Sequence, residues 1–478
     1  MSFLSREFSA AEAARAQQSH SGAEQHPSSP FATPSAGATP GNQLPQIPPE
    51  PTSIVESGLT MGFLNDLVLK VVYFHGNITA QQIADVSRLP FFGVLDKVLE
   101  FLKLEEYVDI IGSQGGFGER SFQYTIAGKG RIKIHEVISR SQYAGPAPVP
   151  LDVYIEMVRR QAVGELVVDT QTVRDAFSHL VVNERMLDKI GPAANSARSL
   201  FLYGPPGNGK TTIAEGISNM LGGYVLIPYA VEVDGQIIKV FDPLNHKTVP
   251  VPTNSEPEQR IGYDGKPLPL PPQPDRRWVV CKRPQVVVGG ELIMDQLELI
   301  FDPISKVYEA PYQMKANGGL FLIDDFGRQK CRPQDLLNRW IVPLEKKIDY
   351  LALQTGKKIQ VPFDVLIVFS TNLSPQDLVD DAFLRRIRHK IEVPNPAPDE
   401  YREIFRRVAK AKGVQYNDEG LRYLIMERYK RDGRDLRSCH PRDICDQLLD
   451  EAKYRGAAPV MSRELIDRAY DAYFVKLA

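Results

Sequence analysis

A glycine-rich stretch limits what this chain can be. Gly204-Pro205-Pro206-Gly207-Asn208-Gly209-Lys210-Thr211 fits the pattern G-x-x-x-x-G-K-S/T, and it lies between an apolar run at 199–203 and a helix-forming run at 211–221. A strand that turns through glycines into a helix has a physical use. The glycines let successive backbone N–H groups point inward at phosphate oxygens, and the helix N-terminus adds a favourable dipole. Lys210 brings positive charge and Thr211 offers a hydroxyl to Mg2+, with Thr212 next in the first turn. The spacing predicts a nucleotide site whose cradle is residues 204–212.

A phosphate cradle needs a carboxylate to anchor the metal shell, and Gly319-Leu320-Phe321-Leu322-Ile323-Asp324-Asp325 supplies it. The apolar run suits a strand covered on both faces of a parallel sheet, which puts Asp324 at the carboxyl end, where ligands bind in open α/β sheets. A further strand, 365–370, ends in Thr371-Asn372, whose amide can orient water or touch a γ-phosphate. Asp381-Ala382-Phe383-Leu384-Arg385-Arg386 follows, and His440-Pro441-Arg442-Asp443 opens a later helix.

Across roughly 165–470 these residues resemble the AAA+ ATPase superfamily. By that resemblance Gly204 to Thr211 is its Walker A, Leu320 to Asp325 its Walker B and Asn372 its sensor 1. Arg386 is its arginine finger, with Arg385 the alternative register, and Arg442 its sensor 2. The stretch Lys315-Ala316-Asn317-Gly318-Gly319, and Leu344-Glu345 with Gly356-Lys357-Lys358 and Val361-Pro362, are similar to the MoxR, magnesium-chelatase and σ54-activator branch. The resemblance implies ATP and Mg2+ as cofactors, with Thr211 and Asp324 holding the metal and Asp325, Asn372, Arg386 and Arg442 serving hydrolysis. It also implies a homo-oligomeric ring, commonly hexameric. One position departs: the family usually ends Walker B in Asp-Glu, whereas Asp325 is one methylene shorter. Misplacing a general base by about 1 Å costs on the order of 10²-fold in rate.

The expected architecture is an α/β P-loop core at 181–394 with a parallel sheet between helices. An α-helical lid occupies 395–478, a helical linker 146–180, a winged helix-turn-helix-like domain 53–145 and a disordered tail 1–52. The winged-helix reading rests on helical spacing at Leu64, Leu67, Val68, Val71 and Val72, a capping box at Thr79 to Gln82, a third helix from Pro90, and two strands around a glycine tip at 115–118. Between Lys210 and Asp324 lies far more chain than a strand-helix-strand unit requires. Asp234-Gly235 centres a hairpin there, so 228–290 is read as a β-rich insert with a proline-rich, exposed loop.

With 478 residues, 43% hydrophobic, and a net charge of −2, the chain can bury several cores and has no global attraction for nucleic acid or anionic lipid. From Arg88 to Glu106, Arg88, Lys97 and Lys103 face Asp96, Glu100, Glu105 and Glu106. That balance favours docking on a protein over binding DNA, although Arg120, Lys129, Arg131 and Lys133 leave a phosphate contact open near the wing. The four cysteines form no C-x-x-C pair. No apolar run suits a membrane span and no leader is evident, so a cytoplasmic setting is expected. The leading expectation is an ATPase that remodels an unidentified protein client. An ATP-gated transcription regulator, lacking a Gly-Ala-Phe-Thr-Gly-Ala loop, and a nucleotide-dependent scaffold are the alternatives.

Overall fold

The computed structural model describes residues 44–114, 118–250, 273–378 and 384–474. The expectations for 1–43, for the glycine tip at 115–117, for the proline-rich stretch 251–272 and for Asp381, Ala382 and Phe383 lie outside those residues.

A five-stranded parallel sheet runs in the order Gln285–Val288, Leu320–Ile323, Leu366–Thr371, Ser199–Tyr203, His389–Glu392. Successive side chains of a strand point to opposite faces, so each apolar strand feeds two cores. Leu200, Leu202, Leu322 and Val368 pack against helices Thr170–Phe177, Glu184–Asn195 and Lys210–Leu221 through Val173, Ile190 and Ile213. Phe201, Phe321, Ile323 and Phe369 face the other way, onto Phe326, Leu336 and Trp340. Sheet between helical layers, with the glycine loop at the carboxyl end of an interior strand, is the core of a P-loop NTPase. The helices Pro398–Lys412, Asp418–Tyr423, His440–Arg455 and Arg463–Tyr473 close a separate core around Tyr401, Phe405, Leu448 and Tyr470, as the lid requires.

The excursion at 228–290 is β-rich, but its end belongs elsewhere. Ala230–Val233 pairs antiparallel with Gln236–Lys239. Asp234 and Gly235 both have positive φ, 49° and 78°, as a type I′ turn demands. This hairpin joins Val149–Pro150, Val307–Glu309 and Ile300–Asp302 in a second five-stranded sheet. Gln285–Val288, grouped with the insert by composition, is instead an edge strand of the parallel sheet, because Val286 and Val288 fill the core beside Phe321 and Ile323.

At the N-terminal end, helix Met61–His75 precedes Ala80–Ser87, which opens with the expected box: Gln82 N donates to Thr79 Oγ1 (3.2 Å) and Thr79 N to Gln82 Oε1 (2.9 Å). The antiparallel sheet runs Ile78–Thr79, Phe122–Ile126, Val108–Ser113. Pro90 does not begin the next regular α-helix, which starts at Asp96. Gly93 interrupts it at φ 83°, lying so close to Thr52 that a Cβ would come within 2.0 Å of its carbonyl oxygen. This part is also bolted to the excursion. Arg277, paired with buried Asp275 (2.9 Å), donates to the Ser57 carbonyl (2.8 Å), and Arg276 donates to Asp85 and the Ala84 carbonyl (both 2.8 Å).

Candidate nucleotide site

The loop between strand Ser199–Tyr203 and helix Lys210–Leu221 turns on Gly204, Gly207 and Gly209, whose φ values are 141°, 82° and 78°. Side chains are excluded at two of them by close neighbours as well as by conformation. A Cβ on Gly204 would lie 2.3 Å from the Val393 carbonyl oxygen, and one on Gly207 would lie 2.6 Å from Cys439 Sγ. The backbone is thereby left as the wall of the cradle.

Lys210 is 7% exposed. Its Nζ donates to the carbonyls of Gly204 and Pro205 (both 3.0 Å) and to Asn372 Oδ1 (2.6 Å). Burial pushes the ammonium below the ordinary lysine value, against the pull of Asp324 and Asp325. Asn372 sits just past strand Leu366–Thr371, and its Nδ2 donates to Asp325 Oδ1 (2.9 Å). Its two partners fix the amide's orientation, since the lysine must meet the oxygen and the carboxylate the nitrogen. One side chain thus joins the loop lysine to the second aspartate. Asp325 itself holds a left-handed backbone, φ 47°, a conformation that non-glycine residues adopt rarely and often at functional sites.

Thr211 Oγ1 donates to Asp324 Oδ2 (2.7 Å). A hydroxyl and a carboxylate side by side are hard oxygen donors of the kind Mg2+ takes together with waters and phosphate oxygens. The residues present therefore fit that ion. Among the described residues no cluster of three or more His, Cys, Asp or Glu offers an all-protein cage.

Beside the loop lies a cavity of about 420 Å³ bounded by Leu180, Val182, Met186, Ile213, Pro394 and Val408, with Gly207 to Gly209 and Thr212 at one side. Apolar walls of that size suit a flat heterocycle next to the phosphate cradle. Arg442 stands at its rim, 66% exposed, with Nε 3.1 Å from Asp443 Oδ1. Arg386 is elsewhere: its Nε donates to Glu345 Oε1 (2.7 Å), and Arg385 is exposed. Lys210, Thr211, Asp324, Asp325 and Asn372 therefore share one cluster, Arg442 borders the adjoining cavity, and Arg386 joins neither.

Four contributors escaped the sequence reading. Asn208 Nδ2 donates to Asn395 Oδ1 (2.9 Å), the Ser438 N–H to Asn208 Oδ1 (3.1 Å), and the Cys439 N–H to the Gly207 carbonyl (2.8 Å). Gln329 Nε2 donates to the Asp324 carbonyl (2.9 Å). Only Asn395 carried a signal, as the residue between two prolines at the lid's entrance.

Residues 397–472 match a family model described as Domain of unknown function (DUF8689). None of the curated proteins matches the chain in sequence. Among solved structures it is similar to the RuvB Holliday junction branch migration motor of Thermotoga maritima, at 16% identity over 61% of this chain and 69% of that one, with a TM-score of 0.34. It is also similar to NtrX from Brucella abortus, at 14% identity over 63% of this chain and 58% of that one, with a TM-score of 0.35. No helix among the described residues is long and apolar enough to cross a membrane.

Proposed function

We propose that the chain is an AAA+-type ATPase that binds ATP with Mg2+, hydrolyses it to ADP and phosphate, and works as a ring on a protein client. The observation that carries this reading is the bridge Lys210–Asn372–Asp325, which assembles charge, water-orienting amide and carboxylate from one helix start and two separate strand ends. The loop amides of 204–209 and Lys210 grip the phosphates, and Lys210 exchanges its carbonyl partners for phosphate oxygens. Thr211 and Asp324 would hold Mg2+, which when bound neutralises phosphate charge. Asp325 accepts the proton of the attacking water while Asn372 aligns it. Arg442 approaches the phosphates as the lid closes over the cavity. On assembly Arg386 leaves Glu345 for the nucleotide of a neighbouring subunit, where its charge stabilises the transferring phosphoryl group.

The short Asp325 favours a second reading, a nucleotide-gated scaffold with slow turnover. Phosphate release measured on three chains separates them. The ATPase reading expects Asp325→Asn to lose about 10²-fold in kcat, with Asp325→Glu equal to or faster than the native residue. Turnover indifferent to Asp325→Asn would remove the base from the mechanism. Native turnover at the level of Asp325→Asn, restored by Asp325→Glu, would favour the scaffold. The exposed face of helix Asp96–Leu104 carries Lys97, Glu100, Lys103 and Leu104, a mixed surface that supports a protein partner over duplex DNA.

A further inference from the structure

A second cavity, about 960 Å³, lies between one face of helix Met61–His75 and the hairpin at 230–239. Leu59, Phe63, Phe101, Leu102, Val137 and Ile237 give it apolar walls. Its charged lining is Asp66, Lys70, Lys133, Arg140, Glu232 and Asp234. All but one of these charges are engaged. Arg140 Nη2 lies 3.4 Å from Asp66 Oδ2, and Lys133 Nζ lies 2.7 Å from Glu136. Glu232 accepts from the Gly235 N–H (2.6 Å), and Asp234 pairs with Lys357.

Lys70 is the exception. It is 4% exposed, its ammonium has no bonded acceptor among the described residues, and that nitrogen is not wholly enclosed but opens on the cavity. Desolvating a cation without a partner is costly. Burial moves this lysine down to about 8, with Arg140 pushing the same way and Asp66 opposing. Asn65 Oδ1, which also lines the cavity, is buried with no partner among the described residues. A polar end with an unmet cation and a roomy apolar remainder define what would fill the space.

We propose that this cavity binds a small amphipathic anion, a carboxylate or phosphate monoester with a hydrocarbon or aromatic body. The head meets the Lys70 ammonium and the body lies along Leu59, Phe101, Leu102 and Val137. The volume is that of small-molecule sites, which span roughly 300–1,000 Å³, and it favours such a ligand over an acidic side chain from a partner protein. A bound molecule would touch both the N-terminal helices and the second sheet.

Calorimetry on the full chain tests this with octanoate and octyl phosphate as probes. Octanol, the same body without charge, and acetate, a head without a body, are the controls. The expected result is one site per chain for at least one of the two long anions, with both controls at least about tenfold weaker. Lys70→Met should weaken that site by about tenfold or more, the worth of a hydrogen bond to a charged group. Gln236→Trp, which fills the cavity from the hairpin side and leaves Lys70 in place, should weaken it too, so the result does not rest on one variant's folding. Absence of binding by both long anions, equal binding of octanol, or undiminished binding in a folded Lys70→Met chain would overturn the proposal.

Discussion

Lys210 and Lys70 are buried almost equally, at 7% and 4% exposure, in opposite circumstances. Lys210 has three acceptors at 2.6–3.0 Å, two of them carbonyls of its own loop. Lys70 has none among the described residues, and a cavity in front of it. A third buried lysine, Lys315, shows the ordinary structural solution, with Asp242 at 2.9 Å and Glu309 at 2.5 Å. A buried charge reports on a ligand through the acceptors placed around it. In the loop the protein supplies its own acceptors, which in the proposed mechanism give way to phosphate, whereas in the N-terminal cavity the ammonium has no bonded acceptor among the described residues.

The widest break in that comparison comes from Asn372→Ala. It cuts Lys210 from Asp325 while sparing the loop carbonyls, so kcat should fall about 10²–10³-fold with a much smaller change in ATP affinity. Steady-state turnover alongside nucleotide titration checks this. Equal losses in both would make Asn372 a binding residue only.

Lys70→Met comes next, with the opposite sign. The folded-state value of about 8 lies below the ordinary 10.5, so between those pH values the unfolded chain keeps a proton that the folded chain has lost. Lys70's own contribution to native stability should therefore rise with pH across that window. Below it the lysine's penalty is about 3 kcal/mol as an upper bound. Lys70→Met removes the penalty, so its melting temperature should exceed the native one at pH 7, and the gap should close toward pH 10.5. A less stable variant at pH 7 would mean that Lys70 has a partner after all.

Gly207→Ala is the smallest of the set. With φ at 82° and Cys439 Sγ 2.6 Å from the new Cβ, it should cost about 1–3 kcal/mol. Adding Cys439→Ala should return part of that in a melt. No recovery would leave the backbone conformation, rather than the lid contact, as the whole cost.

How much of this was legible follows the same contrast. The phosphate loop is a local device: Gly204 to Thr211, the apolar run ending at Asp324 and the strand ending at Asn372 each declare themselves within a few residues. The Asp234-Gly235 hairpin and the Thr79–Gln82 box are local in the same way. What escaped depends on distant chain. Gln285–Val288 reads as insert until it is seen beside Leu320–Ile323. Cys439 acquires its role only because the lid brings it onto Gly207, and Arg386 is turned to Glu345 by a contact across the fold. Lys70 looks like an ordinary helix residue. Helical spacing alone brings Asp66 alongside it, but nothing nearby in the chain shows that Val137 and Ile237 will line the same cavity.

The proposed hydrolysis begins with triphosphate gripped at the loop through Lys210. Titration calorimetry with ATP and Mg2+ on the native chain and on Lys210→Ala tests it most directly. The expected result is saturable binding at one nucleotide per chain in the native protein and none measurable in the variant. A native chain that takes up no ATP, or a folded Lys210→Ala chain that binds it as tightly, would contradict the claim.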